Sequence, residues 1–370
     1  MKPLKADKVF IATTFILVLA GLIIFISASM GVLAKGGDNF TSIVFKQILF
    51  GVVFGSIALG ITSRIDYHRI REVALYFFIA SLITTILVFV PVIGLGEVNG
   101  AKRWINLGFT TFQPAELLKL STIIYIAAWF ASVKDRVRTF KYGTLPLIIV
   151  LSITGIVMLL QPDTDTFVVI VCASLSMYVA AGGKWSHFLI IAMIGLVGLA
   201  GLITMRPYLK QRVLTFFDPA SNALTTSWQI QQSLIAIGSG GITGRGFGQS
   251  IQKFNYLPES RSDSIFAVAG EEFGFIGTAI ITILFVLFSI KGLQIALRAS
   301  DSFGKLLTVG IVILIVCQSF INICSTLGLI PLSGLPLMFV SQGGTAMLFG
   351  MAAVGIVINV SKYQKKSIIV

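Results

Sequence analysis

Charged residues able to do chemistry gather where a long polar stretch meets an apolar run: Glu259, Arg261 and Asp263, with Glu271 and Glu272 further on. A carboxylate at position 263 within hydrogen-bond reach of a substrate hydroxyl could take its proton as a general base. The same position, immediately before an apolar run, is that of a helix N-cap, whose side chain accepts from the first free backbone amides. Capping does not exclude catalysis, so both readings stand. Glu271 and Glu272 would lie roughly 12 Å deeper at 1.5 Å per helical residue. That leaves Asp263 as the carboxylate that most easily meets a ligand head group.

A second pair, Glu116 and Lys119, is spaced i, i+3 on one helix face just after Pro114, so the two can neutralise each other. It reads either as a structural ion pair or as a pair lining a polar cavity, because an ionisable group left in hydrocarbon costs several kcal/mol. Lys46 lies near a helix end and is expected to snorkel. Arg206, Lys210, Arg212, Arg245 and Lys253 could hold an anionic ligand or contact lipid head groups.

Other chemistries fall away. The glycine-rich run from Gly238 to Gly248 looks like a phosphate loop but follows no predicted strand, so a nucleotide reading fails and tight turns at the membrane surface are expected. Cys172, Cys317 and Cys324 all sit in apolar runs, which supports neither a disulfide framework nor a zinc site. With His68 and His187 the only histidines, transition-metal chemistry is not expected and no metal ligands are assigned. The net charge of +13 is dispersed through short loops rather than gathered into a stripe, so no nucleic acid partner is implied.

The elements that position these residues are membrane helices. The chain is 56% hydrophobic and only 12% charged, about half the charged fraction of an ordinary soluble domain. Apolar runs long enough to cross a bilayer recur throughout. They predict an all-α integral membrane protein of about ten transmembrane helices in a single polytopic domain covering residues 1–370. The spans read 9–34, 43–62, 73–95, 114–133, 143–160, 166–181, 187–205, 265–292, 304–330 and 340–360, the fifth and sixth being short enough to form one broken hairpin. The first run is too long for a signal-peptide h-region and is read as helix 1. Placing both termini in the cytoplasm puts seventeen basic residues inside, against Lys35, Lys102 and Arg103 in the short outer loops. Two outer segments remain: Gly96 to Gln113, and an extracytoplasmic loop of about 206–264 between helices 7 and 8. A loop of that length in a compact chain tends to be functional. Near the end, Gly328 to Pro336 and Val340 to Thr345 are so rich in Gly and Pro that they suggest either broken backbone facing protein or a cavity, or a simple loop.

Taken together these segments resemble the SEDS family (shape, elongation, division and sporulation). The matching stretches are Gly100-Ala-Lys-Arg-Trp-Ile105, Phe112-Gln-Pro-Ala-Glu116 with Lys119, Gln161-Pro-Asp163, Gln231 to Gly241, Tyr256-Leu-Pro-Glu-Ser-Arg-Ser-Asp263, Phe266 to Glu272 and Ser341-Gln-Gly-Gly344, in family order. Gly270-Glu-Glu272 and the Gly-Leu-Pro at 334–336 look closer to the division branch, FtsW, than to the elongation branch, RodA. Asp165 departs from the family pattern, which usually has Gly there, and Gln342 stands where FtsW-like chains usually have Tyr.

The resemblance implies polymerisation of peptidoglycan strands from lipid II in the bacterial cytoplasmic (inner) membrane, with undecaprenyl pyrophosphate released. Asp263 is then the catalytic candidate. Lys102, Arg103, Glu116, Lys119, Arg212, Glu259, Ser341 and Gly343 are the candidate substrate-binding residues. It also implies a class B penicillin-binding transpeptidase of the FtsI or PBP2 type as partner, other division or elongation proteins around it, and a divalent cation, Mg or Mn, as a possible cofactor. Two rival readings remain: a flippase for the lipid-linked precursor, and a scaffold that only positions a transpeptidase.

Overall fold

A computed structural model describes residues 6–35, 40–97, 100–108, 110–218 and 226–364. Its helices are α1 (Lys8–Ser29), α2 (Phe40–Lys46), α3 (Phe54–Thr62), α4 (Tyr67–Ile86), α5 (Pro114–Val133), α6 (Leu145–Leu160), α7 (Thr164–Ala180), α8 (Trp185–Met205), α9 (Pro207–Phe217), α10 (Thr226–Gly240), α11 (Ile265–Arg298), α12 (Ser302–Thr326) and α13 (Gly344–Ser361). A π-helical stretch, Gln47–Val53, joins α2 to α3 into one span, Phe40–Thr62. Among the described residues, nine helices are long and apolar enough to cross a membrane, and the 17-residue α7 is a shorter apolar helix beside them. With α7 counted, the ten expected spans are present.

Local sequence explains the helix starts. Asp7, Asp66 and Asp301 cap α1, α4 and α12, each side chain accepting from amides of the first turn, where a carboxylate also meets the positive end of the helix dipole. The Asp66 cap moves the third span from the expected 73–95 to Tyr67–Phe89, so Arg69 and Arg71 lie inside the helix. Pro114 and Pro146 occupy the first turns of α5 and α6, where no amide partner is lost.

The helices arrange by how much of each is covered. Of their most apolar stretches, 78% of α13 and 72% of α12 is buried against only 6% of α8. α12 and α13 therefore form the centre, with α5, α7 and α11 packed on α12 and α3 packed on α13, while α8 stands at the periphery. At one end of α12, Tyr67 and Ser300 meet around Asp301, and Asn359 and Lys362 both donate to the Ser63 carbonyl. At its other end, residues 327–343 form a non-helical loop whose Leu335, Leu337, Phe339 and Val340 are buried. Broken backbone facing protein is thus the correct one of the two readings of this Gly/Pro-rich region. α1 approaches the loop so closely that a Cβ at Gly21 would lie 2.2 Å from the Phe339 carbonyl oxygen.

The segment 206–264 is folded wherever it is described, and it contains α9 and α10. Its glycine-rich part makes the expected tight turns, with Gly241, Gly244, Gly246 and Gly248 at positive φ and most of the run exposed. It also docks against α11, which is interrupted at Gly274 (φ 63°, ψ −162°). The backbone groups freed by this break find partners in the docked loop: Phe275 and Ile276 donate to the carbonyls of Gly241 and Ile242, and Arg245 and Gly246 donate to those of Glu271 and Glu272. Unpaired backbone is tolerated at membrane depth only when protein re-satisfies it in this way.

A Cβ at Gly274 would lie 2.3 Å from the Gly244 nitrogen, in a conformation that L side chains rarely adopt. Gly274→Ala is expected to destabilise the fold by about 3 kcal/mol or more. Gly198→Ala on α8, where nothing lies within 4 Å of the added carbon, should change stability by less than about 0.5 kcal/mol. Thermal unfolding of the detergent-solubilised variants measures both, and equal melting temperatures would contradict the assigned break.

Candidate active site

Three segments converge on Asp263. The first is the turn 259–264, held from the α13 side by Ser341, whose hydroxyl donates to the Ser262 carbonyl at 2.5 Å, and by the Gln342 amide, which donates to the Arg261 carbonyl at 2.8 Å. The second is the buried loop after α12. Asn322 joins these two, since its side-chain nitrogen donates both to the Asp263 carbonyl at 2.8 Å and to the Leu335 carbonyl at 2.7 Å. The third is the start of α7 with α9: Asp165 Oδ2 accepts from Arg212 Nη1 at 2.8 Å and from the Gly334 amide at 2.9 Å.

Asp263 is not the cap of α11. Ser264 occupies that position, and what anchors Asp263 is its backbone carbonyl, which leaves the carboxylate to face the Gly334 side. A Cβ built on Gly334 would stand 3.6 Å from Arg212 Nη2, 3.7 Å from Asp165 Oδ2 and 3.8 Å from Asp263 Oδ2. All three groups therefore meet over one glycine. Although Asp263 keeps some exposed surface, protein encloses most of it, and this loss of hydration is the main reason its carboxyl is pushed up to about 7. Glu259 and Asp165 push in the same direction, while Arg212 and Arg103 oppose them.

Two cavities flank this junction. One is polar, about 700 Å³, and lined by Lys46, Gln47, Trp104, Glu259, Arg261 and Gly343 among others. The other is apolar, about 310 Å³, with Asp165 and Arg212 in its wall; it shares Thr164, Val168 and Leu199 with a further apolar crevice between α7 and α8 of about 490 Å³. Asp263 follows the Glu259–Ser262 wall of the first and faces the Asp165–Arg212 wall of the second.

The expected residues divide accordingly. Arg212, Glu259 and Gly343 line the cavities, and Gly343 also donates its amide to Gln47. Arg103 contributes to the charge around Asp263 but donates to the Gln161 and Pro162 carbonyls. Ser341 is buried and acts as a staple between loops, accepting from the Leu337 amide at 2.8 Å. Lys102 is exposed and lines neither cavity. Glu116 and Lys119 form a buried pair at 2.8 Å, and Lys119 donates to Gln318 at 2.7 Å, whose amide nitrogen in turn donates to the Pro336 carbonyl. They reach the site through this chain of contacts rather than by facing the polar cavity.

Besides Arg212, paired with Asp165, two of the bases considered for an anionic ligand are already engaged. Lys253 is buried against Glu272 at 2.7 Å and Ser27 at 3.0 Å, and Arg245 pairs with Glu271 at 3.4 Å. Lys46 is exposed and borders the polar cavity. Gln318 and Asn322 were not singled out, although polar residues four apart on one face of an apolar span are a readable signal. The contributions of Gly334 and Asp165 come from chain-distant contacts that carry no such signal.

This arrangement is that of a multi-pass membrane protein with a carboxylate set between a polar and an apolar chamber. The chain matches the model of the cell cycle protein family that groups FtsW, RodA and SpoVE over residues 7–366, and it belongs to that family. It is 35% identical to the stage V sporulation protein E of Bacillus subtilis, over 98% of this chain and 99% of the relative. It is 34% identical to a probable peptidoglycan glycosyltransferase FtsW of Geobacter sp. (strain M18), over 96% of each. Among solved structures it resembles a chain of a peptidoglycan synthase complex that coordinates polymerization and crosslinking, with a TM-score of 0.74 and 25% identity over 93% of this chain and 98% of that one.

If Glu116 and Lys119 are structural, Lys119→Met leaves a buried carboxylate unpaired and should cost about 3–5 kcal/mol, most of which Glu116→Gln in the same chain should restore. Denaturation of the single and double variants tests this. A single variant as stable as the parent would remove the pair from the scaffold.

Proposed function

We propose that the protein is a peptidoglycan glycosyltransferase that polymerises lipid II, with Asp263 as general base. The observation that carries the reading is the position of Asp263 between a polar chamber and an apolar one that opens between helices. A lipid-linked sugar needs both. Its tail fits the crevice between α7 and α8, and its head group and the growing glycan fit the polar chamber lined by Trp104, Glu259 and Arg261. The names of the relatives and the family membership point the same way.

In the reaction, an acceptor sugar hydroxyl attacks the anomeric carbon of the donor. A new C–O bond forms, the bond to pyrophosphate breaks, and the hydroxyl proton passes to Asp263. An inverting displacement needs acceptor and leaving group on opposite sides of the sugar. Arg212, beside the apolar cleft, is placed to stabilise the charge that builds on undecaprenyl pyrophosphate; Arg103 adds positive charge nearby. Ser341 and the Glu116–Lys119–Gln318 chain hold the walls. If a divalent cation, Mg or Mn, takes part, Asp263 or Glu259 would hold it, and it would supply positive charge for the pyrophosphate, as Mg commonly binds with substrate phosphates. Among the described residues no cluster of three or more His, Cys, Asp or Glu is available to hold it alone.

The distribution of basic residues supports an extracytoplasmic Asp263, cytoplasmic termini and residence in the bacterial inner membrane. The likeness to a synthase complex supports a class B penicillin-binding transpeptidase as partner.

Purified protein given lipid II, alone and with a transpeptidase partner, should yield glycan strands on a gel, and Asp263→Asn should yield at least 100-fold less, at the low end of general-base effects. Lipid II crossing liposomes with no polymer from the parent would favour a flippase. A base ionising at about 7 predicts that the rate falls as pH drops through that value. The stability sign is opposite. A carboxyl raised on folding above its ordinary value of 3.8 stabilises the fold fully below about pH 4 and loses that contribution as pH rises through about 7. Asp263→Asn should therefore melt higher than the parent at pH 8, with the difference vanishing near pH 4.

A further inference from the structure

A second carboxylate shares the surroundings of Asp263, and the general-base reading leaves it without a role. Asp165 lies in the first turn of α7, where the helix N-terminus favours negative charge. Its Oδ2 accepts from both Arg212 Nη1 and the Gly334 amide. The Gly334 amide fixes the oxygen that receives the guanidinium, although the Asp263 carboxylate lies across the same glycine. The guanidinium has a second neighbour: its centre lies 5.9 Å from the centre of the Tyr208 ring, and the Tyr208 hydroxyl meets that of Thr164 at 2.8 Å. Arg212 Nη2 and Asp263 Oδ2 both approach the Gly334 position, within 3.6 and 3.8 Å of a Cβ built there, so the two carboxylates compete for one guanidinium.

We propose that Asp165 is a positioning residue of the Asp263 site, which holds Arg212 off Asp263 and releases the guanidinium when an anionic group enters the apolar cleft. This rests on the glycosyl-transfer reading and deepens it. The pyrophosphate of a lipid-linked donor is such a group. It outbids a single carboxylate because it offers several anionic oxygens to a planar fork of donors. Asp263 then stays unpaired in the resting protein and available to a hydroxyl proton.

The charges facing Asp263 are Glu259 on its own turn, Arg212 on α9, Asp165 on α7 and Arg103 on the segment before the short strand at Ile105. Removing the charge of Asp165 acts twice in one direction. It takes away a negative neighbour, and it frees Arg212 to pair with Asp263; both favour the ionised form. A base that ionises more easily is a weaker one. Asp165→Asn keeps an oxygen for the Gly334 amide. It should move the acid limb of the pH–rate profile to lower pH and lower the plateau rate roughly three- to tenfold, a fraction of a full general-base effect. Arg212→Gln should move the acid limb the other way.

The test uses the full-length parent, Asp165→Asn, Asp165→Glu and Arg212→Gln, each followed by lipid II polymerisation against pH and by infrared titration of the carboxyl band that Asp263→Asn removes. The expected result is a lower infrared midpoint and a lower acid limb in Asp165→Asn, both restored in Asp165→Glu, and a higher midpoint in Arg212→Gln. An unmoved midpoint in Asp165→Asn overturns the proposal, as does a superimposable pH profile at the parental rate; polymer formation in the parent would leave the reaction assignment standing in either case. Conversely, midpoints that move as expected while no sample makes polymer would uphold the coupling and sink the reaction assignment.

Discussion

The site depends on one constraint: polar backbone at membrane depth must find its partners inside the protein. The loop after α12 is non-helical and largely buried, so its carbonyls need donors from a neighbouring element. α12 supplies them from one face. Gln318 donates to the Pro336 carbonyl and Asn322, one turn on, donates to that of Leu335. Asn322 also takes the carbonyl of Asp263, so the residue that positions the base is the one that satisfies the loop beneath it. Stability and placement share the same hydrogen bonds.

The same constraint shapes the other side. α11 breaks at Gly274, and the loop from Gly241 to Gly246 pairs with the freed backbone. Behind that contact, Glu271 receives the Ser250 hydroxyl at 2.6 Å and the amides of Ile251 and Gln252, while Glu272 binds Lys253 and Ser27. Two buried carboxylates thus clamp the stretch leading from the break towards Tyr256. Lone charges there would be expensive; paired and hydrogen-bonded, they fix where the chain must run before it returns at Asp263.

Much of this was legible in the sequence because it follows from composition. Apolar length gave the spans, the i, i+3 spacing gave the Glu116–Lys119 pair, and the meeting of a polar stretch with an apolar run marked Asp263. What escaped depends on contacts between distant parts of the chain. Asp263 looked like a helix cap because capping is judged from neighbours in sequence, whereas Ser264 takes that position and Asn322, 59 residues away, sets the carbonyl. Lys253 and Arg245 looked like free cations because their carboxylate partners lie on α11, in a span whose break at Gly274 periodicity does not reveal. Asp165 stood out only as a departure from a family pattern, and its contact with Arg212 spans 47 residues.

A base for a lipid-linked sugar faces conflicting demands. Fully hydrated, a carboxylate ionises in the ordinary acidic range and has little affinity for a hydroxyl proton at neutral pH; fully buried, it would stay protonated and could not act. Asp263 sits between these limits because protein encloses most of it while some of its surface stays exposed. Its peptide carbonyl is tied to α12, so the enclosing walls cannot relax away from it. Its nearest cation is shared with Asp165, so the charge that would restore an ordinary acidity is partly withdrawn. A substrate that is half lipid and half sugar demands a boundary between apolar and polar space, and that boundary is also where a carboxylate acquires the proton affinity that general-base chemistry at neutral pH needs.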